Sequence, residues 1–170
     1  EDQISVTASV DPSITFSVTT TVMALGTLST GSINTAGPNG VTIGTNATNG
    51  YSLYIRDLGD GAGNPGLYNT IATYLIPSAT IDLGDPNPGY GFMCDKTGGD
   101  GACLAPYDQY DLGNLDGVGG LLTTSTAFAS YASKPSGTDA YNLRLAARAA
   151  AGDEAGSYAD TLTVIGTAVF

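Results

Sequence analysis

From Gln3 to Val10 apolar and polar residues alternate without a break, Ile4, Val6, Ala8 and Val10 against Gln3, Ser5, Thr7 and Ser9. A period of two puts the four apolar side chains on one face of an extended strand. After the Asp11-Pro12 break the alternation resumes with Ile14, Phe16 and Val18 against Ser13, Thr15, Ser17 and Thr19, and Val22 to Leu28 continues extended. Pro38-Asn39-Gly40 signals a turn before Val41-Thr42-Ile43-Gly44-Thr45. Asn49-Gly50 is the strongest short hairpin signal, because both residues tolerate positive φ, and it leads into the strand Tyr51-Ser52-Leu53-Tyr54-Ile55.

The middle of the chain is less regular. Asp57 to Gly66 reads as loop, and Tyr68 to Ile76 fits a strand or a short helical turn equally well. Asp82 to Gly120 reads as a Gly/Asp-rich insert, mostly loop, broken by short apolar pieces such as Tyr90-Gly91-Phe92-Met93. Regularity returns with Thr126–Tyr131 and with Tyr141, Leu143, Leu145 and Ala147 on one face; Leu145 to Ala151 is Ala-rich enough for a helix. The last strand is Ser157 to Phe170, with Tyr158, Leu162, Val164, Ala168 and Phe170 set against Thr161, Thr163 and Thr167. Many short strands separated by turn signals predict an all-β fold, a β-sandwich or jelly roll: a donor strand at 1–10 and one domain at 11–170, with the insert at about 82–120.

Composition agrees and narrows the function. The 170 residues include 24 Gly and 10 Tyr, no Trp, no His, and five Lys plus Arg against sixteen Asp plus Glu. A net charge of −11 lacks the basic footprint of a nucleic-acid binder and disfavours anionic membranes. No apolar run reaches the roughly 18–20 residues of a membrane span. A start on Glu1 in place of Met suggests a removed signal peptide and an extracellular or cell-surface location. In that setting Cys94 and Cys103 form a local disulfide worth about 2–3 kcal/mol.

Enzyme chemistry finds little support. Without His there is no imidazole base, and Glu1 and Glu154 are the only glutamates, so a glycosidase pair would have to be Asp-based. The expectation is a protein that is not an enzyme and needs no cofactor. Ca²⁺ is the one ion with candidate ligands, Asp95 and Asp100 in the stapled loop, although aspartates in turns commonly just cap backbone N–H groups. The pairs Asp57/Asp60, Asp82/Asp85 and Asp108/Asp111 share that ambiguity. Asn46-Ala47-Thr48 is a glycosylation sequon beside a turn. Arg144 and Arg148 either meet loop aspartates across a subunit boundary or sit on a solvated strand edge.

Three segments carry a resemblance: Leu25-Gly26-Thr27-Leu28-Ser29-Thr30-Gly31, Thr45-Asn46-Ala47-Thr48-Asn49-Gly50-Tyr51, and Ala155 to Val164, which reads AGSYADTLTV. Together they resemble secreted β-sandwich proteins of bacterial and archaeal surfaces: TasA/camelysin-type fibre proteins, spore-coat-protein-U-like domains and donor-strand-exchange pilins. The resemblance implies a homopolymer in which Ile4, Val6, Ala8 and Val10 of one subunit fill a neighbour's groove lined by Leu162, Val164, Ala168 and Phe170. It has no counterpart for the 82–120 insert, whose Cys94–Cys103 loop would decorate the filament or seal a junction. The alternative is a monomeric Ca²⁺-assisted carbohydrate-binding or adhesin module with Tyr90, Tyr107 and Tyr110 stacking on sugars; a shed S-layer fragment is a third reading.

Overall fold

The computed structural model of the protein describes Ser5, residues 7–84 and residues 87–170. Ile4 and Val6 of the expected donor strand, and Asp85, lie outside the described residues. The strands are β1 (Ile14–Val18), β2 (Asn34–Thr45), β3 (Tyr51–Asp57), β4 (Gly66–Asn69), β5 (Tyr74–Pro77), β6 (Ile81–Asp82), β7 (Gly89–Gly98), β8 (Ala102–Cys103), β9 (Gly117–Val118), β10 (Thr126–Tyr131), β11 (Thr138–Arg148) and β12 (Leu162–Ala168). A single 3₁₀ turn, Tyr107–Gln109, is the one helical element among the described residues. Two four-stranded antiparallel sheets, ordered β1-β2-β11-β7 and β12-β3-β10-β8, face each other as a sandwich. The short ladders β4-β5 and β6-β9 lie outside them. The chain is all-β, as its alternation predicts.

Asn49-Gly50 does turn the chain, but not as a hairpin. β2 and β3 lie in opposite sheets, so the turn is an arch across the sandwich. Gly50 has φ 76°, and a Cβ there would stand 1.9 Å from the Tyr131 carbonyl oxygen. Both facts require glycine. Pro38 likewise sits within a strand. Leu143 pairs with Asn39 while Leu145 pairs with Ala36, so Gly37-Pro38 is a bulge in β2 and the missing proline N–H costs no ladder bond. Tyr68 to Ile76 resolves into the β4–β5 hairpin, and the Ala-rich Leu145–Arg148 stretch finishes β11 rather than forming a helix.

The largest departure is β7. The expected insert holds a ten-residue strand that ends the first sheet, buried continuously from Gly89 to Cys94. One face meets the inter-sheet core, where Phe92 packs on Phe128 and Tyr107 with ring centroids 5.3 and 5.4 Å apart. Its other face carries Met93, which joins Leu83, Val118 and Ala146 in a second cluster beneath β6 and β9. A strand buried on both faces has no polar side, so it shows no alternation.

The Cys94–Cys103 disulfide forms as expected and closes its short loop, but it does more than staple that loop. Cys94 is on β7 in one sheet and Cys103 on β8 in the other, so the bond ties the two layers together at one edge. Close by, buried Asp139 accepts hydrogen bonds from the Asp100 and Gly101 N–H groups (2.7 and 2.9 Å) and from the Tyr51 hydroxyl. The hydroxyls of Tyr51 and Tyr141 are in turn 2.6 Å apart. Burial drives both phenols upward, Tyr141 to about 12. This edge of the sandwich is closed covalently and by a satisfied polar network.

Candidate assembly groove

Among the described residues the opposite edge is open. Phe16 pairs with Ile43 and Val18 with Val41, and directly opposed residues share a face, so Ile14, Phe16 and Val18 point between the sheets. Their partners Ile43 and Val41 are fully buried, yet these three remain 43, 40 and 37 % exposed. The cause lies across the sandwich, where the second sheet stops at β12. Leu162, Val164, Gly166 and Ala168 are paired with Asp57, Ile55, Leu53 and Tyr51, so they face inward, but they are only half-buried. Phe16 leans over Gly166, where a Cβ would stand 3.0 Å from the ring.

The hydrogen-bond phase of β12 makes this edge receptive. The Leu58 N–H donates to the Thr161 carbonyl, the Val169 N–H to the Gly50 carbonyl, and the register between them is unbroken. Antiparallel pairing alternates, so the odd-numbered residues bond β3 and the even-numbered ones aim N–H and C=O outward. The outward-aimed groups therefore belong to Leu162, Val164, Gly166 and Ala168, the same residues whose side chains face the core. An added strand would gain a ladder and an apolar floor from the same four positions.

Beside this edge a groove of about 1100 Å³ penetrates the sandwich, lined by Met23, Leu25, Leu28, Leu143, Leu145 and Val164 among others. Its roof is the irregular strap 19–30. Side-chain clips hold the strap in place of a ladder. The Asn39 amide bonds both the N–H and the C=O of Thr20 (3.0 and 2.7 Å), and the Asn34 amide donates to the Leu25 and Thr27 carbonyls (2.9 and 3.0 Å). Val22 on the strap is 74 % exposed.

The expected acceptor residues divide accordingly. Leu162 and Val164 line the groove, Ala168 continues their face, and Phe170 lies past the end of β12, exposed. Of the expected donor residues, Ala8 and Val10 are exposed and belong to no strand. Asn46 anchors the root of that segment: its Nδ2 donates to the Asp11 carbonyl and its Oδ1 accepts from the Ser13 N–H, both at 2.8 Å. A glycan on Asn46 would use the nitrogen that makes the first of these bonds.

The remaining candidates are engaged elsewhere. Asp95 accepts from Arg144 (2.9 Å) and Asn142 (3.2 Å), while Asp100 accepts from the Ser136 N–H (2.5 Å), so the two carboxylates serve separate partners. Among the described residues no three His, Cys, Asp or Glu side chains form a metal-binding group. Asp60 caps the Ala62 and Asn64 N–H groups, and Asp111 that of Lys96. Arg144 stacks 4.1 Å over the Tyr110 ring within its own chain, and Arg148 donates to the Thr30 and Leu83 carbonyls. Tyr90 and Tyr107, proposed for sugar stacking, are each 1 % exposed, so neither presents a ring face to solvent.

Asp57, a loop aspartate by its sequence surroundings, ends β3 in phase with Tyr51, Leu53 and Ile55 and points into the core. That phase was readable in the sequence. No well-formed donor reaches either of its carboxyl oxygens: the Asp160 carboxyl lies close enough to share a proton with it, and the Gly59 and Gly66 N–H groups favour its ionised form without closing a well-formed bond. Burial, then the neighbouring Asp160 carboxyl, pushes Asp57 up to about 8. Asp160 accepts from the Thr161 and Gly59 N–H groups (2.6 and 3.3 Å) and from the Tyr90 hydroxyl (3.1 Å). Tyr90 is raised well above the usual phenol range by burial and by Asp160. No protein-family model matches the chain, and no curated protein matches it.

Proposed function

We propose that this chain is a structural subunit of an extracellular filament, polymerising by insertion of the leading segment of one copy into the open edge of the next. The observation that carries this reading is a complementarity of pattern. Four inward-facing positions on β12 (Leu162, Val164, Gly166, Ala168) carry backbone groups that no strand among the described residues pairs, and the leading segment carries four apolar residues at the same spacing. Burying Ile4, Val6 and Val10 would contribute roughly 1.5–3 kcal/mol each, and each added ladder bond about 0.5–1.5 kcal/mol. The half-exposed Ile14, Phe16 and Val18 would gain a covering layer.

One further observation supports it. A disulfide joining the sheets suits an oxidising, extracellular setting. No helix among the described residues is long and apolar enough to cross a membrane. The reading assigns no catalytic residue. It is favoured over a sugar-binding module because Tyr90 and Tyr107 are buried and Tyr110 carries Arg144.

The test removes residues 1–10. The full chain should form filaments of constant diameter in negative stain, and the shortened chain should stay folded and monomeric. Mixing Val6→Cys and Val164→Cys variants should yield a disulfide between copies. Polymerisation of the shortened chain would overturn the reading. So would a full chain that remains monomeric with the two cysteines joined within one molecule when both are present.

A further inference from the structure

We propose that Asp57 and Asp160 form a Ca²⁺ site at the base of the groove, between the end of β3 and the lead-in to β12. The primary observation is Asp57 itself: 2 % exposed, with no well-formed N–H or O–H donor on either carboxyl oxygen and the Asp160 carboxyl directly against it. Two carboxyl groups facing each other in a buried setting cannot both carry a bare negative charge, and they call for a proton or a cation between them. Protein does not supply one, since the Arg144–Asp95 contact is the single ion pair among the described residues.

The donors around Asp57 suit a hard cation. Asp160 interacts directly with Asp57 and is held by two backbone N–H groups and the Tyr90 hydroxyl. The two carboxylates and the Tyr90 oxygen bring hard oxygen donors from three elements: β3, the segment before β12, and β7. Ca²⁺ takes six to eight oxygens in flexible geometry, and water can complete the set. Asp160 and Tyr90 both line the groove, which supplies that water and a path of entry. An ion here would cross-link the end of β3 to the start of the edge strand, fixing the rim of the groove. The site stands on its own residues and does not depend on the filament reading.

The test uses the full chain stripped with chelator near neutral pH. Tb³⁺ is added first, because a tyrosine beside bound Tb³⁺ sensitises its emission. Ca²⁺ is then titrated by calorimetry and by thermal melting. The expected result is saturable Tb³⁺ emission that Ca²⁺ displaces, and a melting temperature raised at Ca²⁺ concentrations on the order of millimolar. Asp57→Asn and Asp160→Asn should each weaken Ca²⁺ at least about tenfold while still melting cooperatively in chelator. Asp95→Asn and Asp100→Asn should leave it unchanged, which separates the site from diffuse attraction by an acidic surface. Absence of saturable emission with no melting shift would overturn the proposal, leaving the pair to a shared proton. Signal retained in Asp57→Asn but lost in Asp95→Asn or Asp100→Asn would overturn it equally.

Discussion

Asp139 and Asp57 are both aspartates on inner strands, 0 and 2 % exposed, and they sit toward opposite edges of the same sandwich. Asp139 is met by two backbone N–H groups and a tyrosine hydroxyl, on the edge where a disulfide joins the sheets. Asp57 is met by another carboxyl group and by no well-formed hydrogen bond, beside β12, which has no strand on its outer side among the described residues, and on the edge where β1 stays half-exposed. Equal burial therefore hides opposite energetics. One edge has its polar and apolar groups satisfied within the chain, whereas the other leaves both kinds wanting. Open apolar surface and an unneutralised buried acid at one edge are what separate a finished rim from a receptive one.

The sharpest way to break that contrast is to spoil the finished edge. Asp139→Ala would leave the Asp100 and Gly101 N–H groups without their acceptor and the Tyr51 hydroxyl with Tyr141 alone, at about 1–3 kcal/mol for each donor left buried and unpaired. A loss of roughly 3 kcal/mol or more is expected in chemical denaturation, and a loss under about 1 kcal/mol would show that the network is incidental. Removing the disulfide with Cys94→Ala and Cys103→Ala comes next. The bond closes a short loop, sequence separation nine, so about 2–3 kcal/mol should disappear. Because the bond spans the two sheets, the loss should be global, with all amides of β7 and β8 exchanging faster together.

How far the sequence reveals this contrast depends on how many faces of each strand are buried. β1, β3 and β12 each have one wet face, so their period-two patterns stand out and place Leu162, Val164 and Phe16 correctly on the inside. β7 is buried on both faces, and its run Gly-Tyr-Gly-Phe-Met-Cys carries glycine where Val118 presses close, which imitates loop composition. Asn49-Gly50 announces a turn truthfully. Whether the flanking strands pair or part depends on distant residues such as Tyr131, whose carbonyl meets Gly50, and no local window contains that information. Asp57 was readable in part: its phase with Tyr51, Leu53 and Ile55 marks an inward carboxylate. Its neighbour Asp160, about a hundred residues on, was not.

The smallest and most specific effect is expected at the receptive edge itself. In chelator, folded Asp57 ionises only near pH 8, against 3.8 for the same group in water. Between those values the unfolded chain has released a proton that the folded chain retains, so unfolding becomes easier as pH rises. The contribution of this acid is thus complete below about pH 4, falls through the intervening range, and levels off above about 8. Asp57→Asn keeps the shape but cannot ionise, and its amide can donate to Asp160. The variant should lose that part of the pH slope and exceed the unmodified chain by about 1–3 kcal/mol at pH 8 in urea titrations with chelator. Replacing chelator with Ca²⁺ should narrow or reverse the gap, because only the aspartate can hold the ion. Parallel slopes for the two proteins from pH 4 to 8 would mean that Asp57 is not a strained acid, and the contrast between the two edges would reduce to apolar exposure alone.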